Sequence, residues 1–188
     1  MVPYEFDADR FSRWIAYVLR HNPTRYGLQP DRHGYVDLET FLQIANRRYP
    51  SMGLEALKAF IASEGAARFE IASGQLRARY GHSIAAEPVG PPAVPPDQLY
   101  HGIEESRRDA VLREGLQPAD RRMLHLSDTR EEALSVAGRK SSRPVILAVQ
   151  AKAAHEAGVA FYREGRIHLV SGLPARYIKD LTPLSPIW

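Results

Sequence analysis

Arg20 and His21 stand side by side where an apolar helical segment ends, and this pair is the first candidate for chemistry. An arginine guanidinium is a fork that matches phosphate oxygens, and an imidazole can orient a phosphate or exchange a proton with it. The same two residues would also stabilise the C-terminal end of a helix, where positive charge is favourable. The pair therefore predicts either a phosphate site or a helix cap.

Arg68 and the segment Gly81-His82-Ser83 add further groups that can bind an anion. Arg68 opens a strand, where a solvated arginine at the strand edge is the alternative interpretation. The glycine, imidazole and hydroxyl of the second segment could hold a phosphate, although such residues are also common in loops. The segment 138–143 contains three cations and two hydroxyl groups, which suits either anion binding or a solvated basic loop.

Two strand-like segments of the C-terminal half carry histidines that could contact a ligand. One contains His101 followed by Gly102, and a glycine at the end of a strand lets a ligand approach the backbone closely. In the other, His125 and Ser127 alternate with an apolar residue and so share one face of the strand. Each pattern also suits an ordinary turn or a polar surface.

Several classes of site are excluded or not predicted by the residue types present. The chain has no cysteine, which excludes disulfides, thiolate zinc ligands and cysteine nucleophiles. Its seven histidines are scattered without the spacings of metal-binding motifs, so no metal site is predicted. Neither GxGxxG nor a P-loop sequence occurs, so a bound nucleotide would need another binding mode.

The composition of the 188-residue chain is that of an ordinary globular protein, with 44% hydrophobic residues and a formal charge of +3. Arginine supplies 21 of the 25 basic residues, which suits a phosphorylated substrate, although a GC-rich genome would produce the same excess. No apolar run is long enough to cross a bilayer, so we expect a cytoplasmic protein without membrane association. Its size requires no partner to build a core, so we expect a monomer.

Hydrophobic periodicity predicts three helices in the N-terminal part of the chain. The first ends before Pro23, which places Arg20 and His21 in its last turn or just beyond it. The second begins with Asp37 as its N-cap, and the third begins with Ser51 in the same role.

A hairpin is predicted to follow these helices. Two segments with alternating apolar residues are joined by Ser73-Gly74, and the second of them places Arg77 and Arg79 on its outer face. Three helices followed by a hairpin is the order of the winged-helix fold, whose wing commonly contacts nucleic acid.

Residues 85–97 include five prolines and predict a stiff linker between two domains, 1–84 and 98–188. The second domain is predicted to have strands at 99–103, 123–127, 144–149, 166–170 and 177–181, and helices at 106–113 and 128–136. Ser106 and Asp109 suggest a capping box for the first of these helices, and Gly115 is expected to end it. The predicted class is α+β with a small split sheet.

Taken together, these segments resemble the NAD-dependent RNA 2′-phosphotransferases of the KptA family. The resemblance covers nearly the whole chain, in order and with matching gaps. It rests on the segments 12–42, RFEI (68–71), RARYGHSI (77–84), LYHGI (99–103), LREGLQP (112–118), HLSDT (125–129), GRKSSRPVIL (138–147) and FYREGRIHLVSGLPARYI (161–178). It implies a winged-helix-like N-terminal lobe and a C-terminal lobe of the ADP-ribosyltransferase type.

The resemblance also implies an activity. Members of this family transfer an internal RNA 2′-phosphate, such as the one left at a tRNA splice junction, to NAD+ as the co-substrate. The reaction passes through a 2′-phospho-ADP-ribosylated RNA and needs no metal. Its products are RNA with a free 2′-OH, nicotinamide and ADP-ribose 1″,2″-cyclic phosphate.

The resemblance carries roles to individual residues. It makes Arg20, His21 and Arg68 catalytic: the arginines hold the 2′-phosphate, and the histidine orients it or assists the transesterification. The fourth catalytic position is Lys140, where the family has arginine, or Arg139 one residue earlier. The implied NAD+ contacts are His101, Gly102, His125, Ser127 and Phe161. The implied RNA or phosphate contacts are Arg77, Arg79, Gly81, His82, Ser83 and Arg143.

Two departures from the family pattern keep other functions open. Lys140 keeps the charge of the usual arginine but loses its bidentate fork, and Ile103 replaces a threonine hydroxyl that could touch NAD+. One alternative is an ADP-ribosyltransferase of nucleic-acid phosphates that stops after the first step. Another is a non-catalytic winged-helix module that binds nucleic acid.

Overall fold

The computed structural model describes residues 6–65 and 67–181. Residues 1–5 of the predicted first domain and 182–188 of the predicted second domain lie outside the described residues. Within the described chain, no helix combines the length and the apolar composition needed to cross a membrane.

The chain divides into two compact units. The first contains the residues up to Val89 and, in addition, Asp120–Arg122. The second contains Gly90–Ala119 and the residues from Met123 onward. The segment 85–97 forms neither helix nor strand, as its prolines predict, and the first unit gives way to the second inside it.

The first unit begins with α1 (Ala8–His21), which starts at Asp7. The carboxylate of Asp7 accepts a hydrogen bond of 3.0 Å from the backbone N–H of Arg10 and so caps the helix. The buried face of α1 carries the predicted apolar residues, which are Phe11, Trp14, Ile15, Val18 and Leu19. Arg20 and His21 lie in the last turn, as predicted.

Two further helices follow. α2 (Leu38–Arg48) begins at Asp37, whose carboxylate accepts a backbone N–H of the first turn at 2.7 Å, so this predicted N-cap is confirmed. α3 (Leu54–Phe60) begins at Gly53, and the prediction that Ser51 caps it is wrong. Ser51 lies in the turn before the helix, which a backbone hydrogen bond of 2.8 Å closes.

An antiparallel sheet completes the first unit. Its strands are β1 (Val36–Asp37), β2 (Phe69–Ala72) and β3 (Gln75–Ala78), in the order β1-β3-β2. Ser73 and Gly74 join β2 to β3 with φ angles of 49° and 74°, and two positive φ values are what a type I′ hairpin turn requires. The predicted hairpin is confirmed. β1 was not predicted, and its pairing makes β3 the central strand.

The second unit contains a six-stranded antiparallel sheet and three short helices. In the order β7-β8-β5-β4-β6-β9, its strands are β7 (Phe161–Glu164), β8 (Ile167–Val170), β5 (Leu124–Ser127), β4 (Leu99–Glu104), β6 (Pro144–Val149) and β9 (Ile178–Asp180). Its helices are α4 (Arg108–Glu114), α5 (Arg130–Gly138) and α6 (Ala151–Glu156). All five predicted strands are present, and the α+β class is confirmed. β7 and α6 were not predicted.

The starts of two helices in the second unit differ from the prediction. Ser106 lies inside a 3-10 turn (Glu105–Arg107) that precedes α4, and no side chain caps that helix, so the predicted capping box is absent. Gly115 ends α4 as predicted, with a φ of 94°. The N-cap of α5 is the hydroxyl of Thr129.

The two halves of the larger sheet meet where β4 lies beside β5. β4 pairs with β6 at six positions, but in the described sheet it pairs with β5 only through Tyr100 and Ser127. The remaining residues of β4 and β5 therefore diverge from one another. Helix α5 packs on β4.

Candidate functional site

The last turn of α1 places the side chain of Arg20 inside the first unit, where only 8% of the residue is exposed. Its guanidinium carbon lies 5.0 Å from the ring centre of Tyr80 and 5.9 Å from that of Phe69. Aromatic faces attract a cation, so the two rings fix the position of the guanidinium.

No carboxylate pairs with Arg20 among the described residues. Its Nε and Nη2 atoms are buried and have no hydrogen-bond partner in that part of the chain. Burial, together with the positive charges of Arg68 and Arg121, lowers its pKa to about 10, so it is still charged at neutral pH. A buried cation without a counter-ion is costly, and an arriving anion would remove that cost.

Arg68 is held beside the same aromatic ring. Its guanidinium carbon lies 5.5 Å from the ring centre of Phe69, and its Nη1 donates a 2.5 Å hydrogen bond to the hydroxyl of Ser12 on α1. The structure therefore brings Arg20 and Arg68 together, although 48 positions separate them in the chain. Two neighbouring guanidinium groups form a site for a doubly charged anion.

His21 is exposed and is oriented by Ser83. Its Nδ1 forms a 2.9 Å hydrogen bond with the hydroxyl of Ser83, so Nε2 is the ring atom available to a ligand. Partial burial, and then the charges of Arg20 and Arg121, lower the pKa of His21 below its ordinary value of 6.5. The imidazole is therefore mainly neutral at pH 7.

The segment after β3 satisfies the end of α1 with its backbone. The N–H groups of Ser83 and Ile84 donate to the carbonyl oxygen of Arg20 at 3.0 and 3.4 Å. Because these bonds cap the carbonyl, the side chains of Arg20 and His21 are not needed for that purpose. The geometry therefore favours the phosphate interpretation of the pair over the helix-cap interpretation.

Gly81 makes room for Arg20. Its φ is +89°, and a Cβ atom added there would lie 3.2 Å from the Nη1 atom of Arg20. A glycine is thus required both by the backbone conformation and by the close approach of the guanidinium. A direct contact of Gly81 with RNA or phosphate stays a prediction.

His82 is 8% exposed, and a contact of its side chain with RNA or phosphate stays a prediction. Its Nε2 atom faces Gly34, where an added Cβ would lie 3.0 Å away. Burial, and then the charges of Arg20, Arg77 and His21, lower the pKa of His82 to about 4. This histidine is a neutral part of the interior.

The prediction that Arg77 lies on the outer face of the hairpin is wrong. Arg77 is 3% exposed, because β3 is the central strand and both of its faces are covered. Its Nε and Nη2 atoms both lie 2.7 Å from Glu70 on β2, and its guanidinium packs on Tyr35. Arg79 is 29% exposed and lies 3.8 Å from the same carboxylate, so its predicted contact with RNA stays open.

In the second unit, the candidate NAD+ contacts lie on β4 and β5. The Nδ1 atom of His101 donates a 2.8 Å hydrogen bond to the backbone carbonyl of His125, which fixes the tautomer and joins the two strands. Ser127 is 5% exposed and pairs with Tyr100. These histidines and the serine are therefore near one another, and their contact with NAD+ stays a prediction.

Gly102 and Phe161 have structural explanations that the sequence did not suggest. A Cβ atom at Gly102 would lie 2.3 Å from the Cβ of Ala137, so the glycine allows α5 to pack on β4, and its contact with NAD+ stays a prediction. Phe161 is 0% exposed and lies in the core of the second unit. Its predicted packing against nicotinamide stays a prediction.

The predicted basic segment follows α5. Arg139 and Lys140 are exposed, and the backbone N–H of Lys140 donates to the carbonyl of Ala137 at 2.9 Å. Arg143 is exposed, and its nearest carboxylate is that of Glu105 at 3.7 Å. Their predicted roles in catalysis and phosphate binding stay predictions.

Comparison with known proteins agrees with a site that binds phosphate. A family model described as "RNA 2′-phosphotransferase, Tpt1 / KptA family" matches residues 7–172. The chain belongs to the RNA 2′-phosphotransferase family. It is 35% identical over 172 residues to "Probable RNA 2′-phosphotransferase 1" of Archaeoglobus fulgidus, which covers 91% of this chain and 80% of that protein. It is 34% identical over 175 residues to "Probable RNA 2′-phosphotransferase" of Streptomyces coelicolor, covering 93% and 96% of the two chains.

One residue of this RNA 2′-phosphotransferase family member was missed by the sequence analysis. Arg121 lowers the pKa values of both Arg20 and His21, so its charge lies near the site. It is exposed and stands in the connection between α4 and β5. The only signal in the sequence is the basic pair Arg121-Arg122, which has no periodic context.

Proposed function

We propose that this protein removes an internal 2′-phosphate from RNA with NAD+ as the acceptor, releasing 2′-OH RNA, nicotinamide and ADP-ribose 1″,2″-cyclic phosphate. The observation that carries the proposal is the buried guanidinium of Arg20, which has aromatic neighbours and no carboxylate partner in the described chain. Family membership gives the substrate class, and the cationic site supplies what a phosphate dianion requires.

Arg20 and Arg68 would bind the 2′-phosphate. Both guanidinium groups are fixed before the substrate arrives, one by its rings and the other by Ser12 and Phe69. Preorganised donors need little rearrangement when charge develops on phosphate oxygens, and removing one such donor typically lowers kcat by about 10²–10³-fold.

His21 would hold or move a proton at Nε2. Its hydrogen bond with Ser83 fixes the imidazole through Nδ1, and its lowered pKa keeps the ring mainly neutral at pH 7; in the tautomer whose Nδ1–H donates to Ser83, Nε2 is unprotonated. A neutral imidazole at this place can accept a proton from a hydroxyl group that attacks the phosphate. Activity would therefore fall at acidic pH, as His21 becomes protonated.

NAD+ would supply the electrophilic ribose carbon that bears nicotinamide. The hydrogen-bonding groups of His101, His125 and Ser127 lie on neighbouring strands, and such donors and acceptors fit the hydroxyl groups of a ribose. Helix α5 packs against Gly102, and the side chain of Phe161 lies in the core. The proposed NAD+ contacts therefore rest on the other three residues.

We also propose the lobe types that the resemblance implies. In the first unit, three helices are followed by a hairpin, which supports a winged-helix-like lobe. In the second unit, the divergence of β4 from β5 supports an ADP-ribosyltransferase-like lobe with a split sheet. Comparison of each unit with an experimental structure of this protein would test both assignments.

The test of the proposed function is a product analysis. The protein is incubated with a short RNA carrying one internal 2′-phosphate, with and without NAD+, and with EDTA present throughout. We expect NAD+-dependent conversion to 2′-OH RNA and release of nicotinamide. An RNA that keeps its 2′-phosphate, with no NAD+ consumed by a folded protein, would instead indicate a binding module.

A second candidate is transfer that stops at ADP-ribosylated RNA, and Lys140 favours it because lysine lacks the arginine fork. Rapid quenching would then reveal RNA that still carries ADP-ribose. In that case Lys140→Arg should speed the disappearance of this species, whereas the same exchange at the exposed Lys152, Lys152→Arg, should not affect it. Full conversion by the natural protein, without the intermediate, would eliminate this candidate.

A further inference from the structure

Helix α1 is exposed only along a narrow line of side chains. Of its 14 residues, the exposed ones are Asp9, Arg10, Arg13, Tyr17 and His21. The last three are spaced four positions apart, so they lie on one face of the helix, about 6 Å from one another along its axis. Arg13, Tyr17 and His21 thus form a line, the α1 stripe, that ends at the candidate phosphate site.

Tyr17 is an aromatic residue that remains open to solvent beside His21. It is 42% exposed, although Ala16 and Val18 on either side of it are buried. Its ring centre lies 6.4 Å from that of His21, and 48° separates the two ring planes. Because the hydroxyl of Ser83 orients the imidazole, the tyrosine ring lies next to a fixed group of the candidate site. Exposed aromatic rings of this kind stack with the bases of single-stranded RNA.

Arg13 lies one helical turn beyond Tyr17 and adds a positive charge to the stripe. It is exposed, and no carboxylate pairs with it in the part of the chain that the structure describes. Its neighbour Ser12 faces the interior, where its hydroxyl accepts the hydrogen bond from Arg68. The helix therefore supports the phosphate-binding arginines on its buried side and presents an aromatic ring and a free cation on its exposed side. A free guanidinium at the surface suits the phosphodiester groups of a nucleic-acid strand.

We propose that the α1 stripe binds the RNA strand on one side of the 2′-phosphate, with Tyr17 stacked on a base near the phosphorylated nucleotide and Arg13 at a phosphodiester beyond it. This inference rests on the proposed function for the identity of the strand. The 2′-phosphate would lie at Arg20, Arg68 and His21, so the strand leaving it meets the residues one and two turns along α1. Every base has a face that stacks, so this surface selects an unpaired strand without selecting its sequence.

The first experiment locates the stacked base. Octanucleotides carry one internal 2′-phosphate, and in each of them one of the two nearest nucleotides on either side lacks its base. Binding without NAD+ and kcat/KM with NAD+ are measured for the natural protein, for Tyr17→Ala and for Tyr17→Phe. At one of the four positions, loss of the base should weaken binding by the natural protein about 10-fold.

Tyr17→Ala should be nearly insensitive to the loss of that base, because the stacking partner is already gone. Tyr17→Phe keeps the ring and should remain as sensitive as the natural protein. Each comparison is made within one protein, so a general effect of the substitution on folding or on His21 cancels. Equal sensitivity of Tyr17→Ala and the natural protein at all four positions would show that Tyr17 contacts no base.

The second experiment separates the charge from the ring. Binding of the complete octanucleotide is measured at several salt concentrations in Arg13→Gln, in Tyr17→Ala and in Arg47→Gln. Arg13→Gln should reduce the slope of log K against log salt by about 0.7, the value for one phosphate contact on a single strand. Tyr17→Ala should weaken binding without changing the slope. Arg47, an exposed arginine of α2, is the matched control, and its replacement should leave the slope unchanged.

The outcomes separate this inference from the proposed function. If the natural protein leaves the 2′-phosphate in place with NAD+ present, yet its binding of RNA depends on Tyr17 and Arg13 as described, the proposed reaction fails and the strand-binding surface stands. If the protein releases the 2′-phosphate but Tyr17→Ala and Arg13→Gln bind every RNA as the natural protein does, the reaction stands and this inference is wrong.

Discussion

Two buried arginines of the first unit differ in what surrounds their charge. Arg20 is 8% exposed and Arg77 is 3% exposed, so the two are almost equally withdrawn from water. Arg77 has the carboxylate of Glu70 at 2.7 Å, on the neighbouring strand and directly opposite in the register. Arg20 has aromatic rings and other cations as neighbours, and no carboxylate in the described chain pairs with it.

The difference separates a cation that is neutralised within the fold from one whose charge is left for an anion. Burial acts to raise the pKa of Glu70, but the hydrogen bond and the charge of Arg77 outweigh it, so that this pKa is lowered. The pair is thus compensated within the fold. The charge of Arg20 is compensated only when an anion enters, and burial alone would not distinguish the two residues.

Replacement of Arg20 should have the largest effect on activity and little on stability. In Arg20→Gln we expect kcat/KM for 2′-phosphorylated RNA to fall by at least about 10²-fold, because a preorganised donor to the phosphate is lost. The free energy of unfolding should stay within about 1 kcal/mol or rise, since an unpaired buried charge is removed.

Steady-state kinetics and urea denaturation of the same preparation check both halves of this prediction. Arg20→Lys serves as a control, because it keeps the charge and loses the fork, and its activity should lie between those of the other two proteins. A marked loss of stability in Arg20→Gln would contradict the assignment of Arg20 as an uncompensated cation.

Replacement of Arg77 should show the opposite pattern. Arg77→Met leaves Glu70 partly buried without its cation, and we expect the free energy of unfolding to fall by about 3 kcal/mol. The double variant Arg77→Met/Glu70→Leu should recover much of that loss, because no charge is then left unpaired. Equal losses in the single and double variants would show that packing, and not charge, dominates at this pair.

The two arginines also show what can be read from the sequence. Periodicity and capping residues were sufficient for α1, α2 and the hairpin, because these depend on residues close together in the chain. The burial of Arg77 depends on β1, whose two residues are too few to show a period. The packing of α5 on Gly102 likewise joins distant segments, and it appears only in the folded chain.

The residues of the candidate site could be predicted where they lie on elements that neighbouring residues in the chain form. Arg20, His21 and Ser83 were found because α1 ends and β3 is followed by a distinctive segment. Arg68 was a candidate because it opens a strand, and the resemblance gave it a catalytic role; Phe69 and Ser12 hold it in place. Arg121 was not predicted, because its charge comes near Arg20 only through the fold.

The charges of both arginines act on His82, and its titration should give a smaller effect than either replacement. Its pKa is about 4 in the folded protein against an ordinary 6.5, so the unfolded chain binds a proton first as the pH falls. The neutral form therefore contributes its full stability above pH 6.5, and this contribution is lost as the pH falls towards 4. Between pH 7 and pH 5 we expect a loss of about 2 kcal/mol from this residue.

The variant His82→Gln isolates that contribution, because glutamine does not titrate. Urea unfolding of both proteins at pH 7 and pH 5 should show a loss on acidification that is about 2 kcal/mol smaller in the variant. If the two proteins lose stability in parallel, His82 is not held neutral by burial and by the neighbouring cations.

Arg79 is intermediate between Arg20 and Arg77, and its replacement should have the smallest effect on the fold. It shares the carboxylate of Glu70 at 3.8 Å but is partly exposed, so Arg79→Ala should change the free energy of unfolding by less than about 1 kcal/mol. If its guanidinium also meets an RNA phosphate, RNA binding weakens and the slope of log K against log salt falls by about 1. Fluorescence titrations at several salt concentrations measure that slope. An unchanged slope would show that Arg79 serves only as a second partner of Glu70. Arg20 would then be the cation that distinguishes the proposed phosphate site from the neighbouring ion pair.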